Sequence, residues 1–118
     1  MGTTEIIAVY GSLKSDHYNH ILIKGSTFLG KSTINATMYS LGSYPAIIDG
    51  EDEHEVELYE VSSEVARRVR GMEIGAGYVE VTSFFVTETG DEYSATIYYA
   101  GESLEDYCKS NAKVISKY

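Results

Sequence analysis

The sequence predicts an α+β domain, a small mixed and mostly antiparallel β-barrel flanked by short helices. Five or more short segments rich in β-branched and aromatic residues recur along the chain, and turns containing glycine separate them. Two or three short helical patterns lie between these segments, which favours a sheet that curls into a barrel. With 118 residues and a hydrophobic fraction of 43%, we expect one domain over residues 1–118.

The first half of the chain carries mainly strand signals. Apolar and β-branched residues stopped by Gly11 predict a buried strand at residues 5–10. Ser15 and Asp16 are suitable caps for a short helix over residues 18–24. The remaining predictions follow in order: an extended segment at 27–41 with a bend near Gly30, a turn at 42–45, a brief strand at 46–48 and an acidic loop at 49–55.

The second half shows a clearer alternation of elements. Residues 55–61 alternate charged and apolar side chains, which is typical of a strand with one buried face. Ser62 to Glu64 supply N-cap chemistry for an amphipathic helix over 65–72, and glycines at 75 and 77 end it. Two strands at 78–87 and 92–100 form a predicted hairpin, and a last helix begins near Gly101.

The charge and the apolar runs exclude several classes of function. Eighteen acidic and nine basic residues give a formal net charge of -9, which would repel a phosphate backbone, so we expect no nucleic-acid partner. No apolar run approaches the roughly 20 residues of a membrane span, and no secretory signal pattern opens the chain. A single cysteine cannot form an internal disulfide. We therefore expect a cytoplasmic protein with no membrane association.

Common catalytic motifs are missing from the sequence. No nucleophile elbow, phosphate-binding loop or dinucleotide fingerprint occurs. His17 and His20 would share one face of the predicted helix, but zinc and iron sites need three or four convergent ligands, so we predict no metal site. Cys108 is better interpreted as a small apolar residue than as a nucleophile.

Two short features remain as candidates for a site. The stretch Tyr10-Gly11-Ser12-Leu13 ends the first strand, and free amides in such a turn can hold a carboxylate, although a purely structural turn is the commoner interpretation. Glu73 lies among apolar residues near a helix end, where partial desolvation would raise its pKa as a general base requires. The alternative is that Glu73 faces solvent at a fraying helix end.

The order of the motifs adds to these two features. VYGSL at 9–13 is followed by GSYPAII at 42–48, VELYEV at 56–61, a helix before Glu73, a strand from Tyr78 and ATIYY at 95–99. Together they resemble the γ-glutamylcyclotransferase-like family, which includes γ-glutamylamine cyclotransferases and small bacterial and viral relatives. The resemblance covers about residues 6–99.

This resemblance implies a fold, a reaction and a set of site residues. Family members have a small β-barrel flanked by helices, need no metal or organic cofactor, and cyclise a small γ-glutamyl amide or amine to 5-oxoproline with release of the amine. The position that matches the family's general acid/base is Glu73. Matching substrate contacts are Tyr10, Gly11, Ser12 and Leu13, with Tyr78 and Tyr98 lining the pocket and residues 42–45 at its mouth. Neither the residues nor the resemblance predicts an oligomeric state.

Several positions depart from the family pattern. They are Val56 and Ile74 in place of glycine, Arg70 in place of aspartate and Glu80 in place of arginine. We expect Arg70 to favour the ionised Glu73 and lower its pKa, which would weaken proton transfer. An alternative is therefore a catalytically inactive ligand-binding or interaction module on the same fold. A third hypothesis, an acidic adaptor that binds a basic partner through the loop at 49–55, rests on charge alone.

Overall fold

The computed structural model describes residues 3–11, 23, 25–42 and 44–116. Within these ranges it contains one sheet and two helices, which confirms the α+β prediction. The elements in chain order are β1 (Thr4–Val9), β2 (Thr27–Ser40), β3 (Pro45–Asp49), β4 (Asp52–Ser62), α1 (Ser63–Gly75), β5 (Tyr78–Val86), β6 (Glu92–Ala100), α2 (Glu102–Asn111) and β7 (Lys113–Ile115).

The sheet is mixed and mostly antiparallel, as the sequence predicts. Its strands follow the order β3-β2-β4-β1-β6-β5, and β7 pairs with β2 beside this path. Within the described residues, β1 and β6 form the parallel pair, with Ile7 opposite Thr96, and the other pairings are antiparallel. The first strand therefore lies in the middle of the sheet, between β4 and β6, although β2 is the next strand along the chain.

The two faces of the sheet bury two separate cores, because successive side chains of a strand point to opposite faces. Ile7 and Val9 of β1 pack on the face that α1 and α2 cover, together with Tyr59, Val61 and Tyr98. Ala8 and Tyr10 point to the other face, the inner face, and pack with Leu58, Ile97 and Met38 in a second core, which we call the inner core. This second core contains side chains of strands and of Tyr10 but none from either helix, so the sheet must curve around it.

The barrel prediction is only approximately right, because the described sheet does not close. β3 and β5 form its two ends, and no ladder joins them in the described part of the chain. Nevertheless β5 bends back toward β2 at one point. The Ser32 hydroxyl donates to the Val86 carbonyl oxygen at 2.6 Å, and the Glu88 amide donates to the Lys31 carbonyl oxygen at 3.0 Å. These two hydrogen bonds bring distant strands together around the second core.

Helix α1 carries Glu73 to its position. It begins after Ser62, whose hydroxyl accepts a hydrogen bond from the Val65 amide, as the predicted N-cap requires. Ala66 and Val69 are its buried residues. The helix runs to Gly75, beyond the predicted range of 65–72, so Glu73 lies inside its last turn. Gly77, with a φ of 98°, then redirects the chain into β5.

One prediction of secondary structure is wrong, one strand was missed, and one prediction falls outside the described residues. The predicted acidic loop at 49–55 is mostly strand, because Asp52 to Glu55 pair with residues 33–36 of β2. The adaptor hypothesis therefore loses the free loop on which it rests. The short strand β7 was not predicted, and the predicted helix at 18–24 lies outside the described ranges apart from Ile23. Neither described helix has the length and apolar character needed to cross a bilayer.

Candidate active site

A cavity of about 230 Å³ opens between β1, the end of α1 and the start of β3. The chain segment after β1 reaches it because Gly11 has no side chain: a Cβ there would lie 2.8 Å from Pro45 Cδ. This close approach lets two loops border one space. The lining residues are Ile7, Ala8, Val9, Tyr10 and Gly11 from β1 and its end, Tyr44 and Pro45, then Val69, Met72, Glu73 and Ala76, and finally Tyr78 and Tyr98.

Glu73 supplies the carboxylate of this cavity. Its side chain is on the cavity side of the last helical turn, whereas the next residue, Ile74, is 52% exposed. Burial among apolar neighbours raises the pKa of Glu73 to about 7. At neutral pH the group therefore occupies both protonation states, which suits a group that accepts a proton and then returns it.

Four tyrosines line the same cavity, and three of them give their hydroxyl protons to acceptors within the protein. Tyr10 donates to the Tyr98 carbonyl oxygen at 2.6 Å, and Tyr78 donates to the Pro45 carbonyl oxygen at 2.6 Å. Tyr98 donates to Glu80 Oε2 at 3.2 Å. Burial raises the pKa of Tyr10 and of Tyr98, so both stay neutral phenols.

Arg70 does not act on Glu73 as the sequence predicts. Its Nε donates to Glu80 Oε2 at 2.9 Å, and one terminal nitrogen donates to Glu5 Oε1 at 3.2 Å. Arg70 is therefore engaged by two carboxylates on β5 and β1, and burial raises the pKa of Glu73 instead of Arg70 lowering it. The departures at positions 70 and 80 are thus two halves of one ion pair.

The structure brings most of the predicted site residues into one place. Tyr10, Gly11, Glu73, Tyr78 and Tyr98 all line the cavity. Ser12 and Leu13 lie outside the described residues. The predicted cavity-mouth segment contributes Tyr44 and Pro45.

Glu80, which accepts a hydrogen bond from the hydroxyl of Tyr98, was not predicted as a site residue. The available signal was the opposite charge of two neighbouring departures, Arg70 and Glu80, which a helix followed by a strand can bring together. The apolar lining from β1 was also missed, because alternation along the strand does not show which face borders a cavity.

Other reactive side chains lie apart from the cavity. His17 and His20 are outside the described ranges, and within those ranges no group of three potential metal ligands occurs. His54 is 3% exposed on β4, on the face of the inner core. Cys108 is fully buried against the helix-covered face, and burial raises the pKa of its thiol, which disfavours a nucleophilic thiolate.

Comparison with known proteins places this geometry in a family. The family model described as gamma-glutamyl cyclotransferase, AIG2-like, matches residues 7–116. The chain belongs to the AIG2-like gamma-glutamyl cyclotransferase family. A relative in this family is the protein PH0828 of Pyrococcus horikoshii, which carries a provisional name as a gamma-glutamylcyclotransferase. It is 38% identical over 81 residues, which cover 67% of this chain and 70% of the relative.

Solved structures agree with the membership in the cyclotransferase family. The crystal structure of PH0828 superposes with a TM-score of 0.73 at 30% identity, covering 95% of this chain and 86% of that one. An AIG2-like protein from Mus musculus gives a TM-score of 0.75 at 18% identity, covering 98% and 88%. At that lower identity the likeness shows the fold alone.

Proposed function

We propose that this protein is a cyclotransferase that converts a γ-glutamyl amide or amine to 5-oxoproline and releases the amine, with Glu73 as the general acid and base. The observation that carries the proposal is the partly buried Glu73 carboxyl, whose pKa is raised to about 7, on the wall of a cavity bordered by Tyr10 and Gly11. Family membership supports the same reaction class.

The chemistry requires few groups from the protein. The α-nitrogen of the substrate attacks its own γ-carbonyl carbon, so a new C–N bond closes a five-membered ring and the original amide C–N bond breaks. Glu73 accepts a proton from the α-ammonium before the attack and a second one from the ring nitrogen after it. It passes each in turn to the departing nitrogen, so the amine leaves as an ammonium and the carboxylate returns to its starting state. Because the attack is intramolecular, folding the substrate correctly removes much of the entropic barrier.

The size and character of the cavity are consistent with this substrate class. A volume of about 230 Å³ can hold a small amino-acid derivative, and its apolar walls from β1 and α1 exclude water from the reacting atoms. The described part of the cavity wall contains one carboxylate and no lysine or arginine. Glu73 is therefore its proton-transfer group at neutral pH.

The catalytically inactive module remains the contrasting hypothesis, but its main motivation is weakened. It rests on the set of departures around Glu73, among which Arg70 was expected to depress the pKa of that carboxyl. Arg70 instead binds Glu5 and Glu80, and the pKa of Glu73 is raised. The departures at positions 70 and 80 therefore give no physical reason for lost proton transfer.

A product assay separates the two hypotheses. Purified protein is incubated with a panel of γ-glutamyl amides and amines, and 5-oxoproline is quantified for the wild type, Glu73→Gln and Glu92→Gln. Glu92 is exposed on β6 and serves as the matched control. We expect release by the wild type and the control, and a loss of at least about 100-fold in Glu73→Gln. Full activity of Glu73→Gln would contradict the proposal, as would binding of γ-glutamyl compounds without product.

A further inference from the structure

The hydroxyl protons of the cavity tyrosines determine what kind of ligand group they can meet. A phenol has one proton to donate, and its oxygen can also accept. In Tyr10, Tyr78 and Tyr98 that proton is already donated to a carbonyl oxygen or to Glu80. Toward any further partner these phenols are therefore acceptors, unless a hydrogen bond within the protein breaks.

The Tyr98 proton is held most specifically. Its acceptor, Glu80 Oε2, also accepts from Arg70 Nε at 2.9 Å, so the carboxylate is fixed by a guanidinium while it binds the phenol. A carboxylate can only accept hydrogen bonds, so the direction of the Tyr98–Glu80 bond has no alternative. Arg70 is in turn held by Glu5 at 3.2 Å. This chain of contacts joins β1, α1, β5 and β6 and orients one hydroxyl of the cavity.

The charge of the cavity also favours a ligand group that donates hydrogen bonds. Its described wall contains the Glu73 carboxylate, the three phenols whose protons are already donated and the exposed Tyr44, but no lysine or arginine side chain. An acceptor-rich, anionic wall complements a cationic hydrogen-bond donor, whereas a carbonyl oxygen or a carboxylate placed there would meet lone pairs.

We infer that Tyr98, held as an acceptor by Glu80 and Arg70, recognises the α-ammonium group of the ligand and so determines specificity for an amino group beside Glu73. The inference rests on the proposed function for the identity of the ligand and deepens it by assigning an orientation. The nitrogen end of the γ-glutamyl group faces Tyr98 and Glu73. The tyrosines do not polarise the γ-carbonyl. Glu80 and Arg70 are positioning residues, because they act through Tyr98.

Changes on both the protein and the ligand test this inference. Dissociation constants are measured by titration calorimetry in a Glu73→Gln background, which we expect to spare the ligand from turnover. Three probes are used: γ-glutamyl-methylamide, its counterpart without the α-amine, and its counterpart without the α-carboxylate. Each is titrated into the background protein and into the same protein carrying Tyr98→Phe or Glu80→Gln. Glu64→Gln is the control, because it neutralises a carboxylate that pairs with Arg68 on the exposed surface of α1, the helix that also carries Arg70.

The expected result is a selective loss of amine recognition. Removing the amine from the ligand should weaken binding about 10-fold or more when Tyr98 is present, since hydrogen bonds to charged groups are worth roughly 1.5–3 kcal/mol. In Tyr98→Phe the same ligand change should weaken binding less than about 3-fold. Glu80→Gln should behave similarly, because its amide can donate to the phenol oxygen and release the phenol proton. Removing the carboxylate should cost the same in every protein, and Glu64→Gln should match the background.

The outcomes separate this inference from the proposed function. An amine discrimination that Tyr98→Phe leaves unchanged overturns the inference, even if the wild type releases 5-oxoproline. Equal losses of affinity on removing the amine and the carboxylate also overturn it, because they would indicate a merely structural effect. A failure of γ-glutamyl-methylamide to bind overturns it as well. A selective amine effect in a protein whose wild type forms no 5-oxoproline would support the inference and reject the proposed reaction.

Discussion

At the scale of single residues, the position of Glu73 at the end of α1 determines its chemistry. The sequence predicts a partly desolvated carboxyl from the apolar residues around it, and the structure confirms the raised pKa with burial as the cause. The predicted effect of Arg70 was wrong, because proximity along a helix does not show which way a long side chain turns. Arg70 reaches Glu5 and Glu80, two residues that are distant in sequence.

A stability measurement checks the burial of Glu73 without any ligand. Its folded-state pKa of about 7 exceeds the ordinary value of 4.5, so the folded protein binds more protons than the unfolded chain between these pH values. The free energy of unfolding therefore contains a Glu73 contribution that falls as the pH rises from about 4.5 to 7. Glu73→Gln removes this contribution. In urea unfolding, the free energy of unfolding of the variant relative to wild type should rise by roughly 2 kcal/mol from pH 5 to pH 8.

The control for this measurement is Glu92→Gln on the exposed end of β6. Its free energy of unfolding should differ from that of wild type by less than about 0.5 kcal/mol at both pH values, as is usual for surface substitutions. If the difference in free energy of unfolding between Glu73→Gln and wild type did not change with pH, the raised pKa of Glu73 would be contradicted.

At the scale of elements, local pattern predicted helices and strands well where one face is buried. The amphipathic pattern of α1, its Ser62 cap and the hairpin of β5 and β6 are present as predicted. The acidic segment from Asp52 failed because pairing with β2 overrides the low strand propensity of its residues. Pairings between distant strands carry no local signal, so β7 and the parallel contact of β1 with β6 could not be predicted.

Replacing two glycines by alanine should change the free energy of unfolding in opposite directions. Gly71 lies inside α1, and a Cβ there would meet no atom within 4 Å. Gly71→Ala should therefore raise the free energy of unfolding by about 0.5–1 kcal/mol, through better helix propensity. Gly50 joins β3 to β4, where a Cβ would lie 2.5 Å from the Thr37 amide nitrogen and also collide with its hydroxyl. Gly50→Ala should lower stability by about 1–3 kcal/mol.

Each glycine variant serves as the reference for the other in one set of urea unfolding curves. The same chemical change is made in both, so a general effect of losing a glycine would move both midpoints in one direction. Equal shifts would contradict the assignment of Gly71 to an open helix surface and of Gly50 to a crowded turn.

At the scale of the whole molecule, the curvature of the sheet creates both the inner core and the rim on which the cavity lies. The sequence predicts a barrel from short strands in succession, but it does not show how nearly the sheet closes. Closure depends on long-range contacts such as that between Ser32 and the Val86 carbonyl oxygen. The same reason explains why Tyr10, Glu73 and Tyr98 could be placed together only through family resemblance. They are brought to one cavity by strand order, which no local pattern encodes.

The contact between β2 and β5 gives the last prediction. The Ser32 side chain is 8% exposed and points to the inner face, where it donates to the Val86 carbonyl oxygen at 2.6 Å. Ser32→Ala leaves that carbonyl without its donor and should lower the free energy of unfolding by about 1–2 kcal/mol. Amide hydrogen exchange should accelerate most at the end of β5 and around Ser32 in β2, because these regions lose one of the two hydrogen bonds that join them. The neighbouring Thr33 is exposed on the opposite face, so Thr33→Ala should shift stability by less than about 0.5 kcal/mol. Equal destabilisation by the two variants, or exchange that accelerates uniformly over the sheet, would show that the Ser32 hydrogen bond does not hold the two strands together.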